Sequence, residues 1–484
     1  MRRLLQLLLI SLLLPASAAA APVPEGYTYE HAWFEAHDGI QLHAGVFLPE
    51  RFKGRKIPAI VNMTPYAAPN GGATGAAGGG GVNQSGPGNR FPELFEEGRI
   101  GERGYAYLEI DVRGFGGSGG CFEYYGPNEA LDVKTAIEWV ATQGWSDGKV
   151  AMWGKSYEAA QSVLALASKP RNLTAAVIQA PGLSGYTGLW MNRNHYTLGR
   201  YATSGTYTGD DLAPPQNTST AGEPNYALGY FEGLTAPPNC RSDALVGMNA
   251  ERDRDGAFWT GREPYLGAKG STVPVLWTHG FQDANTKPVH LDVWNALKGP
   301  KSAWFGQFTH LRGHETGRPG FIDEAMRFLD EHVKGIEAHA ADPAVTIEEG
   351  SFAGSRWRAE EAWPPADAAA WTMPIRPGSY PDAPGNTGEG SNAGQGHWTL
   401  TQPLPHAVHL AGEPVIAVAL TAAAPEVNLI AHLYDVSPEG KARLVNRGGA
   451  TLKTAGAQSA SYALYPSDWQ FAPGHRIAIH LSGA

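Results

Sequence analysis

Lys149-Val150-Ala151-Met152-Trp153-Gly154-Lys155-Ser156-Tyr157-Glu158-Ala159 is the stretch that decides the fold of this 484-residue chain. Its first five residues read as a short apolar strand. Residues 157–168 (YEAAQSVLALAS) read as a helix, with Val163, Leu164 and Leu166 set among small residues that allow close packing on a sheet. A serine in the sharp turn between such a strand and helix is where the nucleophile of an α/β hydrolase belongs. The helix N-terminus would offer its unpaired N–H groups, with their partial positive charge, to an oxyanion forming beside Ser156. The competing reading makes Ser156 an ordinary N-cap, and the rest of the chain has to separate the two.

Strand and helix patterns alternate around this turn. Strands are expected at 58–64 (PAIVNMT), 105–112 (YAYLEIDV), 174–179 (TAAVIQ), 273–279 (VPVLWTH) and 302–308 (SAWFGQF), and helices at 128–142, 285–297 and 321–334. That alternation builds a mostly parallel sheet, the α/β class. Ahead of it, residues 27–49 alternate about His37-Asp38-Gly39, a hairpin signal. The pattern stops over 181–272, where Tyr186, Trp190, Tyr196, Tyr201, Tyr207, Tyr226, Tyr230, Phe231 and Trp259 gather among Gly, Asn and Pro. This reads as an inserted cap, mainly helical, whose aromatics mostly form its own core while a few face Ser156. From 341 onward, short apolar runs with frequent turns predict an all-β sandwich or jelly roll, in which a further strand is expected beyond Ala484. The expected hydrolase domain is thus split into 22–180 and 273–340.

Residues 1–21 carry Arg2 and Arg3, an apolar run over 4–14, Pro15 and a run of small residues, the pattern of a secretory signal peptide cleaved after Ala18, Ala20 or Ala21. A secreted or periplasmic protein is expected. The apolar run is shorter than the roughly 20 residues a membrane span needs, so no stable membrane anchor is expected. A net charge of −10 without basic runs argues against nucleic-acid binding. The two cysteines, Cys121 and Cys240, would share the oxidising compartment, which permits a disulfide without establishing one. No Cys/His cluster has metal-binding spacing, and neither metal nor cofactor is called for. The glycine-rich stretch 67–90 reads as a mobile loop.

Two motifs are decoys. Gly116-Gly117-Ser118-Gly119-Gly120 fits G-x-S-x-G, and Gly114-Phe115-Gly116-Gly117-Ser118-Gly119 fits the dinucleotide fingerprint. Both follow a strand but open no helix, because residues 121–127 (CFEYYGP) intervene. They are expected to shape a tight loop beside the site.

A serine hydroxyl needs a base, and the base needs a group to orient it. In α/β hydrolases the order is Ser, then Asp or Glu, then His. Asp283 follows the strand ending in Thr278-His279, and His310 follows the strand ending in Gln307-Phe308, which places both on the rim that carries Ser156. His314 rivals His310, and His279 suits a supporting role. Asp292 falls inside a helix, facing solvent. The second oxyanion donor besides the Tyr157 N–H could be the phenol of Tyr66, although by itself Thr64-Pro65-Tyr66 reads slightly better as a tyrosine packed under the loop.

Taken together, TPY at 64–66, DVRGFGGSGG at 111–120, EWVATQGWSDGKVAMWGKSY at 138–157, GFQD at 280–283 and GQFTH at 306–310 resemble the X-prolyl dipeptidyl peptidase and cocaine esterase family, to which α-amino-acid ester hydrolases are related. The resemblance runs from about residue 27 to the C-terminus, including the cap and a galactose-binding-like jelly roll. It implies Ser156 as nucleophile, Asp283 as orienting acid, His310 as base, and the Tyr66 hydroxyl with the Tyr157 amide as oxyanion hole. Ala159 stands where family members usually carry Gly, and the insertion after Tyr66 is long.

Peptidases and amino-ester hydrolases must hold a free α-amine, which requires carboxylates near the nucleophile. Glu158 is adjacent, and Asp210, Asp211 and Glu223 lie in the cap, although each has a plainer structural or solvated reading. Esterases of neutral acyl groups would use aromatic walls such as Trp190 and Trp259. The expected function is a serine hydrolase of small ester or peptide substrates, of X-Pro dipeptidyl-peptidase or amino-acid-ester type. A neutral carboxylesterase is the close alternative, and a non-catalytic carbohydrate-binding protein the distant one.

Overall fold

The computed structural model describes residues 23–66, 90–195, 246–338 (except 264 and 290), 342–382 and 396–483. The expected signal peptide, the glycine-rich loop, Asp210, Asp211, Glu223, Cys240 and residues 196–245 of the cap lie outside the described residues. Cys121 is disulfide-bonded. No helix among the described residues is long and apolar enough to cross a membrane.

Strands β1 (Tyr27–Glu35) and β2 (Gln41–Pro49) form the expected antiparallel hairpin, with Glu35 opposite Gln41. Gly39 takes φ +88° in the turn, a conformation glycine adopts without strain. Then follow β3 (Ile57–Thr64), β4 (Ala106–Asp111), β5 (Ser146–Lys155), β6 (Leu173–Gln179), β7 (Val275–Gly280) and β8 (Lys301–Gly306). From β4 to β8 the order is β4-β3-β5-β6-β7-β8, all parallel.

Residues of β5 alternate between two cores, as a strand buried on both faces must. Val150 and Met152 join the core beneath α1 (Pro127–Thr142) and α2 (Tyr157–Ser168), while Ala151 and Trp153 join the one beneath α4 (Phe321–Lys334). In α1, Val133, Ala136, Ile137 and Val140 are buried at the i, i+3, i+4, i+7 spacing that points one stripe at the sheet. Helix α3 (Leu291–Ala296) is shorter than the expected 285–297. The reason is chemical: the backbone N–H groups of Asn285 and Thr286 donate to the Asp283 carboxylate, so this segment turns about a side chain instead of starting a helix.

The sheet does not stop at residue 341. Strand β9 (Val345–Ser351) pairs in parallel with β8, then with a strand from far along the chain, Ser467–Phe471, which in turn pairs with Val408–Gly412. Gly354–Glu360 pairs antiparallel with β9 in the same sheet, and the other C-terminal strands form antiparallel sheets around a separate core that includes Ile416, Leu433, Val445, Tyr462, Trp469 and Ile479. The two halves are joined at the β7 and β8 ends. Trp363 packs on Phe281 and Phe305, and Gln307 Nε2 donates to the Asp468 carbonyl at 2.8 Å.

Candidate active site

At the end of β5 the chain reverses at Ser156, which adopts φ 66° and ψ −122°. Such a conformation costs a non-glycine residue on the order of 1–3 kcal/mol, and packing has to hold it. Gly154 makes the turn possible, since a Cβ there would stand 2.3 Å from the Glu158 carbonyl. Backbone bonds fix the rest: Ser156 N–H donates to the Gln179 carbonyl at 2.9 Å, and Ala160 N–H donates to the Ser156 carbonyl at 3.0 Å. The Ser156 hydroxyl makes no capping hydrogen bond, so the N-cap reading does not account for this serine. Ala159 is fully buried in the core without displacing the helix.

Asp283 and His310 come together at the ends of β7 and β8. His310 Nδ1 lies 2.8 Å from Asp283 Oδ2. Asp283 Oδ1 accepts from the N–H groups of Asn285 (2.8 Å) and Thr286 (3.1 Å), and Oδ2 also accepts from Thr286 Oγ1 at 2.8 Å. His279 Nε2 stands 3.3 Å from the same oxygen, in a supporting place. Burial works against charge on Asp283, but His310 and His279 hold its carboxyl well below the usual carboxylate range. Burial lowers the His310 pKa below the usual 6.5 against the pull of Asp283, and the Lys155 charge adds to the lowering. The result is an imidazole that is neutral at pH 7 and therefore able to accept a proton. His314 faces Glu93 at 3.8 Å, and Asp292 is paired with Lys269 at 2.9 Å.

Tyr66 follows β3 and is half-buried. Its N–H donates to Thr64 Oγ1 at 3.0 Å, and the Arg90 guanidinium lies 4.6 Å from its ring centroid. Both Arg90 and Thr64 converge on Glu158. Arg90 grips the carboxylate with Nε on Oε1 and a second nitrogen on Oε2 at 2.6 Å, and Thr64 Oγ1 donates to Oε1 at 2.7 Å. Glu158 is fully buried, and its oxygens are already engaged by this cation and hydroxyl. The expected contact between Glu158 and substrate therefore gives way to its plainer role as a structural partner on the helix. Removing one partner of a buried, bidentate pair strands the other charge, at a cost of about 3–5 kcal/mol. Arg90→Met should lower unfolding free energy in urea titration by that amount, and a loss below about 1 kcal/mol would mean that water already shares the pair.

Tyr157 contributes its backbone to the start of α2 while its hydroxyl points elsewhere, donating to Glu129 at 2.7 Å. Gln161 donates to the same carboxyl, and burial raises the Glu129 pKa to about 7. Tyr125 stacks on the Tyr157 ring with centroids 4.6 Å apart. Of the two cap tryptophans, Trp259 is fully buried between Tyr124, Tyr186 and Phe258. It belongs to the core that continues under α1 and α2, not to an exposed substrate wall. Trp190 donates to the Met248 carbonyl at 3.1 Å and lines a cavity of about 300 Å³ with Leu183, Lys287 and Tyr465.

The decoy loop is held by Asp111. Gly117 N–H donates to Asp111 Oδ2 at 2.7 Å, and Ser118 is buried, with its hydroxyl donating to the Asp111 carbonyl. Two groups, His37/Asp38/Asp132 and Glu349/His409/Asp468, bring His and carboxylates within 4.8 Å. Each already holds an arginine: Arg113 bonds Asp132 and Asp38, and Arg358 bonds Asp468 and Glu349.

A parallel sheet with a strand–serine–helix turn at its centre, an Asp–His pair at neighbouring strand ends and a β-rich C-terminal domain is an α/β hydrolase architecture. Residues 38–312 match the X-Pro dipeptidyl-peptidase (S15 family), and residues 337–484 match the X-Pro dipeptidyl-peptidase C-terminal non-catalytic domain. The chain belongs to the S15 family of X-Pro dipeptidyl-peptidases, and is a serine hydrolase. It is 23% identical over 501 residues to a "Putative Xaa-Pro dipeptidyl-peptidase" of Streptomyces avermitilis, covering 89% of this chain and 69% of that protein. It is 22% identical to a "Putative serine esterase" of Mycobacterium bovis, covering 97% and 92%. In fold it is similar to a CocE/NonD family hydrolase from Staphylococcus aureus, with TM-score 0.73 at 15% identity over 96% of this chain and 90% of that one. An α-amino acid ester hydrolase gives TM-score 0.67 at 19% identity, covering 99% and 92%.

Proposed function

We propose that the chain hydrolyses ester or amide bonds through an acyl-enzyme, with Ser156 as nucleophile, His310 as base and Asp283 as the acid that orients it. Ser156 Oγ attacks the substrate carbonyl carbon as its proton passes to His310 Nε2, and the same proton then leaves with the alcohol or amine. Water repeats the sequence on the acyl-enzyme and frees the serine. The Tyr157 N–H and the Tyr66 hydroxyl receive the oxyanion. The observation that carries this reading is the Asp283–His310 hydrogen bond, made by a buried carboxylate whose Oδ1 is spoken for by two backbone donors.

The leading substrate class is that of the family, peptides that begin with X-Pro and lose it as a dipeptide, or amino-acid and acyl esters such as those its relatives' names indicate. One observation favours a neutral carboxylesterase instead: Glu158, the acid next to the nucleophile, is committed to Arg90 and Thr64. Comparing kcat/KM for Ala-Pro-p-nitroanilide, its N-acetylated form and p-nitrophenyl butyrate separates the two. Preference for the proline substrate, lost on acetylation, marks an aminopeptidase site. Fast butyrate cleavage with no turnover of the anilide sinks the peptidase reading.

A further inference from the structure

Lys155, immediately before Ser156, is buried to all but 8% of its surface, and it makes no hydrogen bond or ion pair with any described residue. Its charged neighbours are all engaged. Arg90 holds Glu158, Arg312 lies 3.2 Å from Glu93 and donates to the Arg90 carbonyl, Glu315 accepts from the Arg312 N–H, and Asp283 holds His310. The stem of Lys155 is buried while its Nζ still reaches solvent, so a cation with no protein partner beside the candidate nucleophile is open to an anionic group that arrives from outside.

The fold says from which side. Lys155 continues the β5 face of Ala151 and Trp153, and sits opposite Gln179 in register. Gln179 Oε1 accepts from Gly313 N–H at 2.9 Å, so the loop that carries His310 lies over this face. In serine hydrolysis the imidazole delivers its proton to the leaving group, which must therefore lie against the histidine.

We propose that Lys155 recognises a carboxylate carried by the leaving group of the substrate. The inference rests on the hydrolase reading above and narrows it to esters or amides whose released alcohol or amine is anionic; an amino acid released from a tripeptide is one such group. The carboxylate itself is unchanged by the reaction. Burial first, then the nearby charges of Arg90 and Arg312, lower the Lys155 pKa to about 8 against the pull of Glu315 and Asp283. Recognition should accordingly fade as pH rises past that value.

The test is a ratio of kcat/KM for two esters of equal size, 4-carboxyphenyl butyrate over 4-carbamoylphenyl butyrate. In the wild type at pH 7 it should exceed about tenfold, a charge-assisted contact against a neutral one, and in Lys155→Met it should fall to about one or below. Because the readout is a ratio, a general loss of activity in the variant cancels. A wild-type ratio of one overturns the proposal without any variant, as does an unchanged ratio in Lys155→Met. A carboxylate preference found only on the acyl part, for 4-nitrophenyl hemisuccinate over 4-nitrophenyl butyrate, overturns the leaving-group assignment. If neither these esters nor Ala-Pro-p-nitroanilide is cleaved, or cleavage survives Ser156→Ala, the hydrolase reading itself fails. Turnover of the anilide with neither ester cleaved moves the same ratio test to Ala-Pro-4-aminobenzoate over Ala-Pro-4-aminobenzamide, where a ratio of one overturns the proposal.

Discussion

Ser156→Ala is expected to lower kcat by about 10⁶-fold with KM little changed, and adding His310→Ala should cost almost nothing more. The two residues act as one unit, so once the nucleophile is gone the base has no proton to take. What remains is the catalysis supplied by the oxyanion donors and binding, which neither change touches. The turn should survive the substitution. Its backbone is held by the Gln179 carbonyl, the Ala160 N–H and the glycine at 154, none of which involves the Ser156 hydroxyl. Burst kinetics and fluorophosphonate labelling check the result. Were Ser156 a cap, alanine would instead cost about 1 kcal/mol of stability and leave the rate intact, so a variant that keeps more than about 1% of wild-type kcat defeats the assignment.

Asp283→Asn should reduce kcat by about 10⁴-fold, and the hydrogen bonds around this side chain say why. Oδ1 faces two backbone N–H groups, of Asn285 and Thr286, so an asparagine must put its carbonyl oxygen there and its NH₂ group at Oδ2. That NH₂ then meets His310 Nδ1, which can only accept. The imidazole is driven into the tautomer with its proton on Nε2, directed at the serine it is meant to deprotonate. Thr286 Oγ1 can turn away, because it also reaches the Ala180 carbonyl at 3.1 Å, so the fold loses little. A pH–rate series separates this from simple misfolding: as pH rises and hydroxide can assist, the asparagine variant should recover part of its rate. A flat deficit at every pH would point to a collapsed site instead.

How far the sequence carried the site follows from how local each signal is. The Ser156 turn was legible because an apolar strand, a glycine and a small-residue helix are adjacent in the chain, and Asp283 and His310 because each follows a strand whose end fixes its rim. Glu158 was misleading for the opposite reason. Its partner, Arg90, lies 68 positions away, beyond a glycine-rich run, and no spacing rule connects them, so a carboxylate beside a nucleophile looked available when it was already bound. The Tyr157–Glu129–Gln161 cluster was hidden likewise, since it joins two helices through side chains. Trp259 looked like a substrate wall because aromatic composition cannot tell a pocket lining from a core. The start of α3 was overextended because helical periodicity takes no account of a carboxylate that captures two backbone donors.

The sheet that runs on past residue 341 has a consequence for the order in which the molecule becomes competent. The turns bearing Asp283 and His310 are steadied by Trp363 against Phe281 and by the Asp468 carbonyl against Gln307. Ribosomes make those turns more than a hundred residues before Asp468 exists. A nascent chain can thus assemble the strand–serine–helix turn early and still lack the contacts that steady the Asp283 and His310 turns until Asp468 has been added.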